Sequence, residues 1–328
     1  MTHFVRSMLA ALIGAAAIVL PSIASAQSDT WPTRPIRMVS PFPPGGTTDL
    51  LARQLAPGLS QALGQQVIVE NRAGGGGSLG TGQVAKSAPD GYTFVLVFDS
   101  HAVNPSLIPN LPFDTRNDLA PVMLIATGAM VVTAHSSQPW KTFGQLLAAA
   151  KATPGLPNYG TIGSGSLANL AMTTMGVQGG FTPTHVPYKG GGPLVQDAIG
   201  GHVPVAIGSI ALFAPHIKSG VLVPLAVTTT TRDPVLPNVP TVSEQGLPGF
   251  EATAWWGILA PAKTPPAIVA RMNAEVTKLL RDPQMREKMA NQGMNIVAST
   301  PEAFGKFIDE QSVKWAKVVK DNNIRAGE

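Results

Sequence analysis

The chain has 328 residues, a formal net charge of +4, 13% charged residues, 34 glycines, 30 prolines and no cysteine. The lack of cysteine excludes disulfides, thiolate metal sites and cysteine nucleophiles. The small basic excess is spread out, without a Lys/Arg block or an aromatic ladder, so nucleic acid is not expected as a partner. The length exceeds one comfortable hydrophobic core and predicts two lobes.

Residues 1–26 read as a secretory leader: Arg6 gives a positive start, residues 8–20 are apolar, and Ala24-Ser25-Ala26 makes a small-residue cleavage site before Gln27. The apolar stretch is shorter than the ~20 residues of a comfortable membrane span. A strand is predicted over 36–40. The run Phe42-Pro43-Pro44-Gly45-Gly46-Thr47-Thr48-Asp49 then leads straight into a helix. Pro43 and Pro44 stiffen the approach, and Gly45 and Gly46 let the backbone turn. The N–H groups of the helix's first turn are left facing outward. Without lysine, cysteine or histidine, the run is suited to holding a carboxylate rather than to chemistry on one. Its candidate contacts are Phe42, Pro44, Gly45, Gly46, Thr47 and Thr48. Asp49 reads as a first-turn carboxylate favoured by the helix dipole. Leu51, Leu55, Leu59 and Leu63 mark the buried face, and Pro57 is expected to bend this helix.

The next strand is predicted over 66–70, followed by glycines at 74–77, a helix over 78–87, the turn Pro89-Asp90-Gly91 and an apolar strand over 92–98. Three strands in this order make half of an open α/β sheet. The glycine run sits where a dinucleotide fingerprint would, but no acidic residue ends a following strand at ribose spacing, so it reads as a packing turn. Asp99-Ser100-His101 is expected to form a third loop facing a cleft, with Ser100 as its contact.

The second half predicts a helix over 142–151, a strand over 158–161, a helix over 167–176, strands over 203–207 and 221–228, and a helix near 212–219. The stretch Asn158-Tyr159-Gly160-Thr161-Ile162-Gly163-Ser164-Gly165-Ser166 repeats strand, glycine-rich turn and helix start. A second anion cradle is expected there, at Thr161, Gly163, Ser164, Gly165 and Ser166. Two cradles at the carboxyl ends of strands match the place where open α/β sheets bind ligands. Residues 185–193 are expected to be turn-rich, with Lys189 a surface charge. Trp255 and Trp256 read as packing where the chain returns to the first lobe. Three helices follow, over 266–280, 283–292 and 301–321, each opened by a proline and packed on that lobe. The expected lobes are 27–128 with 254–328, and 129–253.

An enzyme is not expected. Ser164 lies in Gly-Ser-Gly rather than the Gly-x-Ser-x-Gly elbow, and none of His101, His135, His185, His202 and His216 has a reason to approach it. Neither metal-ligand spacing nor a nucleoside triphosphate loop is found, so no cofactor is expected. A hydrolase using the same cleft is the alternative.

An ordered series of short motifs runs through the chain. It includes Pro44-Gly45-Gly46 with Asp49, Val69-Glu70-Asn71-Arg72, Pro89-Asp90-Gly91-Tyr92, Asn104-Pro105, Asn158-Tyr159-Gly160, His185-Val186-Pro187-Tyr188-Lys189-Gly190, Leu236-Pro237-Asn238-Val239-Pro240 and Trp315. In this series the chain resembles the periplasmic solute-binding receptors of tripartite tricarboxylate transporters, the Bug receptors. The resemblance implies an α/β, two-lobed type II periplasmic-binding-protein fold, each lobe an open, mostly parallel sheet flanked by helices, with the ligand cleft between lobes. It implies a small organic acid held by main-chain groups and ordered water at 42–48 and 161–166. The client implied is a tripartite tricarboxylate-type membrane permease, or alternatively a sensor kinase. The chain departs from the family pattern at Asn169, a candidate contact where His is usual, at Pro204 and Ile207 in place of Asp and an aromatic residue, and at Pro57.

Overall fold

The computed structural model describes residues 31–322 and Ile324; the expected leader, residues 1–26, lies outside them. The first strand, β1 (Ile36–Ser40), leads to α1 (Thr47–Leu63), β2 (Val67–Asn71), a short turn of 3-10 helix at Gly75–Gly77, α2 (Ser78–Ala85) and β3 (Thr93–Phe98). Leu51, Leu55 and Leu59 are at most 1% exposed, as their four-residue spacing predicts. Helix α1 runs through Pro57 without a break. Arg53 and Pro57 are both exposed, so the carbonyl that loses its donor faces water and the ring has room, and the expected disruption stays small.

The expected loop at Asp99-Ser100-His101 is absent: α3 (Ser100–Leu107) begins one residue after Asp99. A strand not foreseen, β4 (Leu119–His135), follows and spans 17 residues. Next come α4 (Phe143–Ala152), β5 (Gly155–Thr161), α5 (Leu167–Gly179), β6 (Pro183–Pro187), α6 (Gly191–Ile199), β7 (Val205–Ser209), α7 (Ile210–Lys218) and β8 (Leu222–Val227). The segment expected to be turn-rich thus holds the end of β6, a short connection at 188–190 and the start of α6. Trp255 and Trp256 belong to β9 (Thr253–Pro261), and the helical end of the chain, α8 (Pro266–Arg281), α9 (Pro283–Ala290) and α10 (Pro301–Asp321), is interrupted by the short β10 (Met294–Ile296).

Along the sheet the strands lie in the order β2-β1-β3-β9-β4-β7-β5-β6, with β8 and β10 also on β4. The α/β class holds, but the sheet is mixed rather than mostly parallel. Parallel pairs occupy the flanks, β1 with β2 and β3, and β5 with β6 and β7. The centre is antiparallel, since β9 pairs β3 and β4, and β4 pairs β7 and β8. Strands β3 and β4 are joined through α3 and run the same way, and β9, arriving from late in the chain, inserts between them antiparallel to both. Strand β4 serves both flanks. It pairs β9 from Leu119 to Ala129, then β7 from Met130 to Ala134.

Helix α10 packs on the centre of the sheet through Phe304, which is fully buried against Trp255 at 5.7 Å between ring centroids. Gly257 of β9 makes that approach possible: a Cβ there would stand 2.1 Å from Phe304 Cζ. Gly257→Ala is therefore expected to destabilise the fold by about 1–3 kcal/mol, as overpacking does. The readout is a lower urea midpoint with an unchanged m-value.

Candidate functional site

The first cradle forms where β1 gives way to α1. Gly45 takes a left-handed φ of 81°, which a Cβ would strain. Gly46 caps α1 without a side-chain hydrogen bond, so the N–H groups of Thr47 and Thr48 have no capping side chain. Both hydroxyls are engaged inside the protein: Thr47 Oγ1 accepts from Trp256 Nε1 at 3.0 Å, and Thr48 Oγ1 lies 2.9 Å from Ser40 Oγ. These threonines offer main-chain donors. Asp49 accepts from Gly45 N, Arg53 Nε and Asn71 Nδ2 at 2.9–3.0 Å. Burial raises its pKa, but the bonds from Arg53, Gly45 and Asn71 outweigh that effect and hold the carboxyl below its ordinary value. It braces the loop.

In the second cradle, Ser166 caps α5 by accepting from Asn169 N at 3.3 Å. Asn169 turns inward, accepting from Gly165 N at 3.1 Å and donating to Tyr159 Oη at 2.9 Å. Thr161 Oγ1 donates to Gly163 O at 3.0 Å and lies 2.8 Å from His185 Nε2. Thr161, Gly165, Ser166 and Asn169 thus shape the turn, and Asn169 lines a separate space behind α5.

Between the cradles lies a cavity of about 20 Å³, room for about one water. Four helix N-termini meet on it: Gly46, Thr47 and Thr48 of α1, Ala168 of α5, Gly191 of α6 and Ser209 of α7. Neither α6 nor α7 has a side-chain cap. Phe42, Phe98, Met130, Ile162, Gly208 and Leu212 complete the wall, and no ionisable side chain lines it. Each helix end carries about half a positive charge, so the point they share favours an anion without any cation. Of the expected contacts, Phe42, Gly46, Thr47 and Thr48 line this cavity, whereas Gly163 and Ser164 line a larger one beside it. Pro44 and Gly45 line neither of these two. Ser100 donates to Gly76 O at 3.1 Å.

Sequence reading missed the α6 and α7 ends. Their signals are present, a glycine triplet at 190–192 and Gly208-Ser209 after an apolar strand, but the first reads as part of a turn-rich segment and the second falls unassigned between the strand expected over 203–207 and the helix expected near 212–219.

The family described as "Tripartite tricarboxylate transporter family receptor" matches residues 51–324. The chain belongs to this family. It is similar to BugT of Bordetella pertussis, 38% identical over 97% of this chain and 98% of that one. Among solved structures it is similar to an R. palustris protein with adipate, 33% identical, TM-score 0.87, covering 90% of this chain and 99% of that one. It is also similar to MatC from Rhodopseudomonas palustris with bound malate, 31% identical, TM-score 0.83, covering 88% and 99%. These are periplasmic solute-binding receptors rather than enzymes, and the family works with tripartite transporters. That places the protein in the periplasm.

Two buried ionisable groups stand beside this receptor's first cradle. Asp99 is 1% exposed, and the N–H groups of Ser100 and Leu167 face its carboxyl without closing a full hydrogen bond. Burial pushes its pKa well above the ordinary value and favours the neutral acid. The His101 ring stacks on Phe113 at 5.9 Å, neither ring nitrogen is hydrogen-bonded, and burial lowers its pKa to about 4. His101 is thus neutral in the folded protein at pH 7. Its unfolded pKa is about 6.5, so its share of stability is whole above that value and is lost as pH falls toward 4, by about 3 kcal/mol. Asp99 acts in the opposite sense: its burial penalty is present at neutral pH and is relieved on acidification. Melting temperatures measured from pH 8 to pH 4 are expected to show a shallower acid loss for His101→Leu. Asp99→Asn is expected to melt higher than wild type at pH 7, with the gain shrinking toward pH 4.

Proposed function

We propose that the protein captures a small organic acid and delivers it to a tripartite tricarboxylate-type permease. The carboxylate sits where the N-termini of α1, α5, α6 and α7 meet. That convergence is the observation that carries the reading: the starts of four helices line one cavity, without a cation or an ionisable base among its walls. Adipate and malate in two solved relatives support the carboxylate class. Residues 27–128 with 254–328 form one lobe and 129–253 the other, a division supported by the change of β4's partners between Ala129 and Met130. Phe42, Gly46, Thr47 and Thr48 contact the acid from the first lobe, and Gly163 and Ser164 from the second. The leader at residues 1–26 is cleaved before Gln27 on export.

The lining explains why an acid would be held and then let go. Neutral main-chain donors give hydrogen bonds strengthened by the ligand's charge, yet no cation must be stripped of water or left unpaired on release.

Thermal melting with a panel of mono- and dicarboxylates tests the reading. An acid present at about 100 times its dissociation constant adds about 2.7 kcal/mol to the stability of the fold. In Ser209→Asp the new carboxylate caps α7, so the fold is kept, while its charge occupies the shared anion position. The expected result is a melting shift with acid in wild type and none in the variant. Equal shifts in both, or none across the whole panel in wild type, would overturn the assignment.

A further inference from the structure

The cavity at the helix ends has room for about one water-sized group, such as one oxygen of a carboxylate, and little more. Beside it, sharing Phe42 and Ile162 as walls, lies a cavity of about 780 Å³. That volume falls within the roughly 300–1,000 Å³ of ordinary small-molecule sites. One of its walls is bare backbone. Residues 74–77 are four consecutive glycines, all with positive φ, at 141°, 55°, 61° and 89°. Ser100 Oγ and Asn104 Nδ2 both donate to Gly76 O, at 3.1 and 3.2 Å. Helix α3 therefore pins the run in a shape that residues with a Cβ adopt only under strain. The opposite walls are largely apolar, from Leu107, Ile108, Pro187 and Tyr188. Lys189 is the only charged residue on the lining. Its side chain is exposed and makes no ion pair among the described residues.

We propose that this cavity is a second subsite, which selects an extended α,ω-dicarboxylate over a short one. The apolar chain of the acid lies along the glycine wall and the distal carboxylate pairs with Lys189, while the first carboxylate occupies the helix ends. The inference rests on the carboxylate reading of the smaller cavity and adds the length and second charge of the ligand. A short hydroxy acid would leave the larger cavity to water and Lys189 unpaired. Each methylene added to a chain that reaches along this cavity removes apolar surface from water.

Calorimetric titration of the mature protein with malonate, succinate, glutarate, adipate, pimelate and suberate, and with octanoate as the singly charged control, tests this. Affinity is expected to rise along the diacid series, and suberate is expected to bind more tightly than octanoate. Lys189→Gln, at an exposed position, is expected to weaken suberate by about fivefold, the scale of a partly exposed ion pair, and to leave succinate and octanoate unchanged. Ala73→Trp, which narrows the cavity from an exposed position, is expected to weaken suberate and spare succinate. Tightest binding by succinate, or equal losses for suberate and octanoate in Lys189→Gln, overturns the second subsite and leaves the first intact. No binding by any acid overturns both.

Discussion

The arrangement depends on one constraint, that the starts of α1, α5, α6 and α7 must face a single point. A helix that follows a strand starts at the strand's carboxyl end, so parallel strands send their helices off from one edge. The strands of the first flank, β1 and β3, run in the same direction as β4, because β9 is antiparallel to both β3 and β4. Strand β7 runs against β4, and β5 and β6 follow β7. The two flanks use different stretches of β4, so their carboxyl ends are turned toward each other. An all-parallel sheet would have put the helix starts of the two flanks on one common edge. The antiparallel centre is what makes a cavity between them.

The site gains its sign from this geometry rather than from charged side chains. Helix ends act over about one turn, so their contributions combine only because the four ends meet within one small cavity. The side chains nearby hold the backbone in place. Trp256 donates to Thr47 and stands 5.2 Å from Phe98, which in turn lies edge-on to Phe42 at 6.4 Å. This aromatic row backs the first cradle from β9 and β3. The second is held by the Ser166 cap and by Asn169 between Gly165 and Tyr159. An Asn there satisfies both neighbours at once, accepting from one and donating to the other.

What could be read from the sequence was local. Strand β1, the start of α1, and the β5–α5 turn are legible because glycine, proline and serine mark them within a few residues. Strands β4 and β9 were not. Most residues of β4 are buried, so the strand shows neither alternation nor a helical period, and its pairing with β9 joins residues more than a hundred positions apart. The same distance hid the α6 and α7 ends. A glycine pair before a helix is unremarkable until the sheet brings it beside Gly46. The side-chain bonding is hidden for a related reason: Thr47, Thr48 and Asn169 each carry a polar group that suits a ligand, yet their partners Trp256, Ser40 and Tyr159 lie on other elements.

Phe42 joins these scales. It belongs to the first cradle, its carbonyl accepts from Asn71 Nδ2 at 3.1 Å, and it lines both the small cavity and the large one. On the far side, Ile162 of the second cradle lines both as well. On the proposed reading, an acid that spans the two cavities would run past an aromatic and an aliphatic side chain, one from each flank of the sheet. Apolar walls at that passage exclude water from the anion's first shell, which strengthens hydrogen bonds from neutral donors. The same walls accept methylene groups without desolvating a polar partner. Backbone donors at the head and apolar surface at the neck give a receptor that holds its ligand without a buried cation.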